Sequence, residues 1–209
     1  MGRAEETRER ILRAAEDVVL DEGVAALTLE RAAAAAGVSK GGVLYHFPTR
    51  DALVTAMVAR LTERFEEQLR RHGANGPGPG SFTLAYLRCE ATPTTDPEDE
   101  RVDRLGAALL AALAADPSLL APLAEAYERW QRRCELDGLP PVTATLVRLA
   151  ADGLWLTELL GLGVLSAERR RSVVEELERL VAAGTEASGP GAGTRARRSR
   201  PGARRGGGR

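Results

Sequence analysis

The sequence predicts an all-α fold, with a three-helix helix-turn-helix domain over residues 1–50 and a larger helical domain over residues 51–184. Three observations predict it. The chain is rich in Ala, Leu and Arg with only 4% aromatic residues and few β-branched runs, so helix propensity is high almost throughout. Apolar residues recur every three or four positions between breaks rich in Gly and Pro. The stretch Thr28 to Phe47, TLERAAAAAGVSKGGVLYHF, reads as helix, tight turn, helix.

Within that stretch Thr28 is a good N-cap and Leu29 opens the apolar side of the first helix. Ala32, Ala33 and Ala36 are small enough for a second helix to cross close by. Gly37 can take the positive φ that stops a helix within a residue or two, with Val38 plugging the angle. Ser39 caps the second helix. Val43, Leu44 and Phe47 have the spacing of inward residues, which leaves Lys40, Gly41, Gly42, Tyr45 and His46 outside. A second helix presented in this way is the kind that enters a DNA major groove.

Thr28 to Ser39, the Tyr45-His46-Phe47 ending and Pro48-Thr49-Arg50-Asp51-Ala52-Leu53 together closely resemble the DNA-binding domain of the TetR family of bacterial regulators. The resemblance runs nearly unbroken from Thr7 to Leu69, with Ala32 standing where the family usually carries a branched aliphatic. It implies a ligand-responsive regulator, most simply a repressor that binds a palindromic double-stranded operator as a homodimer and is released by a small-molecule effector. Two other readings remain: a DNA binder without small-molecule control, and a helical protein-interaction module.

The DNA-facing set is Thr28, Ser39, Lys40, Gly41, Gly42, Tyr45, His46 and Arg50. Thr28, Tyr45, His46 and Arg50 sit at helix ends or carry polar tips suited to phosphates. Lys40 can donate to guanine O6 or N7. Gly41 and Gly42 either let backbone approach base edges or merely ease packing of the two helices, and each costs about 1 kcal/mol of helix stability against Ala. Tyr45 could equally be a half-buried core ring, and Arg50 or His46 a solvated side chain.

The formal net charge of −1 hides an asymmetry. Seven of the 29 basic residues and none of the 30 acidic ones fall between Ser188 and Arg209, so the remainder carries −8. Residues 185–209, mostly Gly, Pro, Ser, Ala and Arg, are expected to be a disordered basic tail. Cys89 and Cys134 are far apart and form no metal-ligand spacing with His46 and His72. The N-terminus is charged, and the longest uncharged apolar run, Leu105 to Ala115, is too short to span a bilayer. The expectations are a cytoplasmic protein, no membrane partner, no metal and no cofactor. An enzyme is not expected either: no nucleophile with a paired base and no phosphate-cradling loop appears.

In chain order, a bracing helix is expected from about Thr7 to Glu22 and a long fourth helix from Thr49 to about His72, with Leu53, Met57, Leu61, Phe65 and Leu69 in step. Residues 73–80 form a break, Phe82 to Ala91 a short helix, and Thr92 to Glu100 a loop. Val102 to Ala115 is helical, Asp116-Pro117 caps the next helix, and Pro122 either kinks that helix or marks its start. Pro140 to Leu160 is apolar nearly all round, and the last helix, capped by Ser166, has one clean face. Covering both suggests a twofold four-helix bundle through Leu146, Leu149, Leu156, Leu160, Val173, Val174, Leu177, Leu180 and Val181, as TetR-like proteins dimerise.

The larger domain resembles the family's effector-binding domain in layout, which makes it a C-terminal helical ligand-binding and dimerisation domain. Its candidate pocket residues are Met57, Leu61, Phe65, Tyr86, Leu109, Tyr127, Trp130, Asp152 and Trp155, though ordinary core packing suits each of them as well. Asp152 stands out, since a carboxylate on an apolar helix needs a partner. Arg148, one turn earlier, is the simplest one.

Overall fold

The computed structural model describes residues 2–92, 96–113 and 117–187. The helices are α1 (Arg3–Glu22), α2 (Leu29–Ala36), α3 (Lys40–His46), α4 (Arg50–Arg71), α5 (Ser81–Ala91), α6 (Pro97–Leu113), α7 (Ala121–Glu135), α8 (Pro141–Leu159) and α9 (Ala167–Ala187). Single 3-10 turns at Val24–Ala26 and Pro117–Leu120 precede α2 and α7. Among the described residues there is no strand, and no helix is long and apolar enough to cross a membrane.

The N-terminal punctuation acts as its residue types require. Thr28, Ser39 and Thr49 accept hydrogen bonds from the backbone N–H groups of Arg31, Gly42 and Ala52 at 3.1, 3.1 and 3.0 Å. Each occupies one of the free donors that every helix start exposes. Gly37 ends α2 in the left-handed region (φ 63°, ψ 37°), and Val38 N–H closes the turn onto Ala33 O at 3.0 Å. A Cβ is disfavoured at that angle, which is why the turn takes a glycine. α2 and α3 then cross over a core of Ala32, Ala36, Val43 and Phe47 against Ile11, Ala15 and Val19 of α1.

Three boundaries move. α1 begins at Arg3, four residues before Thr7, with Glu5 and Glu6 favouring its positive end. α6 begins at Pro97 inside the expected loop: Asp96 Oδ1 accepts from Glu98 N–H at 2.8 Å, and a proline at the first position loses nothing. α9 continues to Ala187, so Thr185 to Ala187 belong to the helix and not to the tail; the rest of the expected tail, 188–209, lies outside the described residues. So do the expected helix end at 114–115 and the cap at Asp116. Pro122 marks a helix start, at the second position of α7.

There are two apolar cores, and α4 passes through both. Leu53, Val54, Met57 and Val58 complete the N-terminal core, joined from the C-terminal domain by Leu105 and Leu109 of α6. Leu69 enters the second core, with Phe82 and Tyr86 of α5, Trp130 and Cys134 of α7, Ala144, Val147 and Leu154 of α8, and Leu177 and Val181 of α9. α5 has no cap of its own. The Asp137 carboxylate, from the α7–α8 turn, accepts from Phe82 N–H (3.2 Å) and Thr83 N–H (2.8 Å) in its place.

Between the cores sits a buried charge. Glu16 of α1 has no solvent exposure and is in ion-pair contact with Arg60 Nε (3.3 Å) and Arg64 Nη1 (3.5 Å) of α4, and with Arg101 Nη2 (3.5 Å) of α6. Outside it, Arg60 meets Glu9, Arg101 meets Asp17 at 2.6 Å, and Arg64 meets Glu98 at 3.3 Å. Burial pushes the Glu16 carboxyl above its usual range, and the three guanidiniums pull it back. Glu16→Ala leaves three crowded cations without their shared anion. Urea denaturation should show a loss of about 3–5 kcal/mol; a change below about 1 kcal/mol would refute a structural role for the cluster.

Candidate DNA-binding surface and ligand cavity

α3 is one turn past its cap when Val43 and Phe47 go inward, at 0% and 2% exposure. The opposite side is bare. Tyr45 is 80% exposed, which excludes the half-buried ring, and Lys40 and Gly41 lie beside it. His46 is half-buried and stacks edge-on against Tyr45, with ring centroids 5.0 Å apart. Leu44, expected inside, is instead 40% exposed. It follows Lys40 by one turn, so it shares the outer face that Lys40 begins.

The glycines have no packing duty here. A Cβ built on Gly42 would meet Ser39 Oγ at 3.4 Å and Val38 Cβ at 3.7 Å, and one on Gly41 only Ser39 Oγ at 3.9 Å. These are ordinary contacts, so the packing of α2 on α3 does not require either glycine. Lys40 Nζ lies 2.6 Å from Glu30 Oε1, an exposed pair, and the lysine's hydrogen bond holds the Glu30 carboxyl below its usual range. An exposed pair of this kind is weak enough to exchange for another anion.

Arg50 departs from its expected place. Its guanidinium turns inward, donating from Nε to Leu27 O and from Nη2 to Val24 O, both at 2.9 Å. Leu27 O lies just past the 3-10 turn, Val24 O already accepts from Leu27 N–H at 3.1 Å, and the planar fork of an arginine reaches both at once. Arg50 thus fastens α4 to the turn that launches α2. Arg8 likewise lies over the Phe47 ring, 5.2 Å from its centroid.

In the C-terminal domain α4, α5, α6, α7 and α8 enclose a cavity of about 340 Å³. Leu61, Phe65, Leu109, Tyr127, Trp130, Asp152 and Trp155 line it, as the sequence suggested. Met57 does not: it is fully buried in the N-terminal core, while its neighbour Val58 is the first residue of α4 to line the cavity. Tyr86 also stands behind the wall, fully buried, its hydroxyl donating to Asp152 Oδ1 at 2.7 Å. Arg148 Nη1 donates to Asp152 Oδ2 at 2.7 Å, the expected pairing, while its Nε donates to Gln131 Oε1 at 2.7 Å. Burial raises the Asp152 carboxyl above its usual range despite both partners. Phe65 and Trp130 meet edge to face at 4.8 Å, and Trp130 Nε1 donates to Glu66 Oε1 at 2.6 Å.

Among the lining residues that sequence reasoning missed are two acids, Glu90 and Asp103. The signal for Glu90 was present, since it is a carboxylate near the end of the mostly apolar α5, the same oddity that marked Asp152. Burial raises Glu90 well above its usual range, with Asp152 and Asp103 adding to the rise, and pushes Asp103 up to about 6.

The candidate interface divides. Leu146, Leu149, Leu156 and Leu160 of α8 are 44–58% exposed, Leu180 of α9 is 40% exposed, and Val142 and Leu162 extend the same apolar surface. Leu177 and Val181, however, are 7% and 4% exposed within the protomer's second core, and Val173 and Val174 are half-buried against it. The cause is that α9 packs on both α5 and α8 of its own protomer: a Cβ on Gly80, just ahead of α5, would come within 2.9 Å of Val181.

An N-terminal helix-turn-helix head on a helical body that lines a cavity is the architecture of a helix-turn-helix regulator. A model described as "Bacterial regulatory proteins, tetR family" matches residues 11–57, and one described as "Tetracyclin repressor-like, C-terminal domain" matches residues 80–182. The chain belongs to the TetR family of bacterial transcriptional regulators. It is 39% identical over 67 residues to the HTH-type transcriptional regulator TtgR of Pseudomonas putida, a match spanning 32% of each chain. Among solved structures it is similar to the multidrug binding protein EbrR complexed with ethidium (27% identity, TM-score 0.66, 84% of this chain and 98% of that one). EbrR complexed with malachite green gives 27% identity and a TM-score of 0.62 over 83% and 97%. A TetR-family regulator from Rhodococcus sp. shares the fold at 23% identity, with a TM-score of 0.68 over 84% and 98%.

The placement of Tyr45 and Arg50 separates reading from bracing. Tyr45→Ala should leave thermal stability within about 0.5 kcal/mol, while Arg50→Ala should lose about 1–3 kcal/mol with its two carbonyl bonds. Equal losses in a melting experiment would contradict this division.

Proposed function

We propose that the protein is a transcriptional repressor that binds a palindromic operator as a homodimer and leaves it when a small molecule fills the cavity. One observation carries this reading: α4 and α6 each send side chains both into the cavity and into the charge cluster around α1. α4 gives Leu61 and Phe65 to the cavity, and Arg60 and Arg64 to Glu16; α6 gives Asp103 and Leu109 to the cavity, and Arg101 to Glu16. A molecule between α4 and α6 therefore bears on the helices that hold the head in place. A ligand that prefers another setting of them by about 1–3 kcal/mol changes operator affinity about 5–150-fold.

At the DNA, Tyr45 and Lys40 are the exposed polar tips of α3, and Leu44 adds an apolar contact suited to a thymine methyl. The space over Gly41 and Gly42 lets the helix lie close to base edges. Thr28 and His46 stand at the helix ends, where phosphates are met. A single short helix reads too few base pairs to be selective, and the exposed α8 leucines supply the means of pairing two. The cavity's apolar and aromatic walls suit the kind of compound named for EbrR, a multidrug binding protein.

The test is retardation and footprinting of the promoter fragment beside the protein's own gene. A symmetric footprint with half-sites about 34–36 Å apart is expected, and protection of one unpaired half-site would overturn the dimeric reading. Tyr45→Ala and Lys40→Ala should each weaken retardation by about tenfold or more, at about 1–3 kcal/mol per contact. Leu149→Asp combined with Leu156→Asp should sediment as a monomer and lose the footprint; an unchanged dimer would place the interface elsewhere.

A further inference from the structure

Three acids reach the cavity, and they are not equivalent. Asp152 on α8 is neutralised by Arg148 and receives the Tyr86 hydroxyl. Asp103 on α6 is exposed and has no cation within ion-pair distance among the described residues. Glu90 on α5 is half-buried and lines the cavity, and among the described residues it makes no hydrogen bond or ion pair. A buried carboxylate left in this way is costly and normally finds a partner. The protein supplies none. Around it stand the rings of Phe65, Tyr127, Trp130 and Trp155, whose faces attract cations.

We propose that the cavity selects lipophilic aromatic monocations, with Glu90 as the counter-charge and the four rings as the wall. This rests on the reading of the cavity as the effector site and names the class of effector it takes. In the empty cavity the Glu90 carboxyl keeps its proton, because burial and the charges of Asp152 and Asp103 oppose its ionisation. When a cation enters, that proton leaves for solvent and the carboxylate faces the ligand, so charge balances in both states. The other titratable groups lining the space are Cys89 on α5, Asp103 on α6, Tyr127 on α7 and Asp152 on α8 with its Arg148; α4 contributes none. None of these supplies a fixed cation facing Glu90. The bound state holds fewer protons, so cation affinity rises with pH up to the point where Glu90 ionises unaided. Asp103, pushed up to about 6, adds to the rise around that pH.

The experiment is calorimetric titration of the full chain, without DNA, with tetraphenylphosphonium and with neutral triphenylphosphine oxide. The phosphonium should bind the more tightly, and its affinity should climb with pH by up to about tenfold per unit while the oxide's stays level. Glu90→Gln, nearly the same in shape, should cost the phosphonium about 30-fold or more and flatten its pH dependence, while the oxide binds as before. Failure of the phosphonium to bind, equal binding of the two compounds, or an indifferent Glu90→Gln overturns the proposal. Should Glu90→Gln fail to fold, the wild-type pH series decides alone, a level line for the phosphonium being the refuting result. If the phosphonium binds as described but no operator is ever retarded, the repressor reading fails and this one stands; operator release by neutral compounds alone gives the reverse.

Discussion

The structure depends on how a carboxylate with no access to water is held at the meeting point of three helices. Glu16 reaches α4 through Arg60 and Arg64 and α6 through Arg101, with Glu9, Asp17 and Glu98 completing the outer side. Apolar contacts such as Leu105 and Leu109 against the N-terminal core are non-directional and allow sliding. Guanidinium forks do not, because each position along a neighbouring helix either finds an acid or leaves a buried cation alone. The cluster is also imperfectly satisfied: both Glu16 oxygens, Arg60 Nη1, Arg64 Nη1 and Arg101 Nε lack an aligned hydrogen bond. A joint with close ion pairs but few aligned bonds is held in register, yet loses little when its partners exchange. That combination suits an element with two settings more than a permanent weld.

What makes the joint useful is that its helices have two faces. On α4, Arg60 and Arg64 are one turn apart on the side of α1, and Leu61 and Phe65 are one turn apart on the side of the cavity. α6 repeats the arrangement with Arg101 and Asp103. No chain of intermediate residues is needed to connect the two sites, since the same rigid elements border both. Arg50 extends the connection, because by holding Leu27 and Val24 through their carbonyls it ties the first residue of α4 to the segment entering α2. A tilt of α4 is thus felt at the helix pair that presents Tyr45.

Local chemistry was the part legible in the sequence. Thr28, Ser39, Thr49 and Gly37 act within three or four residues of themselves, so their roles follow from neighbours in the chain. Asp152 with Arg148, one turn apart, was legible for the same reason. Periodicity gave faces but not the elements that cover them. The stripe Leu53, Met57, Leu61, Phe65, Leu69 is continuous along α4, yet the helix runs past two cores and a cavity, so Met57 and Leu61 meet different surroundings. Leu177 and Leu180 lie near one another on α9, and only the packing of α9 on α5 and α8 decides that the first is interior and the second exposed. Arg50 turned inward onto two carbonyls of another segment, Leu27 O and Val24 O, a placement that no local pattern records.

The position of the cavity acids bears on the direction of motion. Glu90 belongs to α5 and Asp103 to α6, so on the proposed reading a cation between them attracts both and draws α6 toward α5. Arg101 and Asp103 are two residues apart, about 200° around the helix, so a side chain facing the cavity at one implies a side chain facing away from it at the other. The pull that seats Asp103 on a cation is therefore a pull that draws Arg101 back from Glu16 and Asp17. On the proposed reading, charge in the ligand adds to affinity a directed pull on α6 that an uncharged compound of equal size lacks.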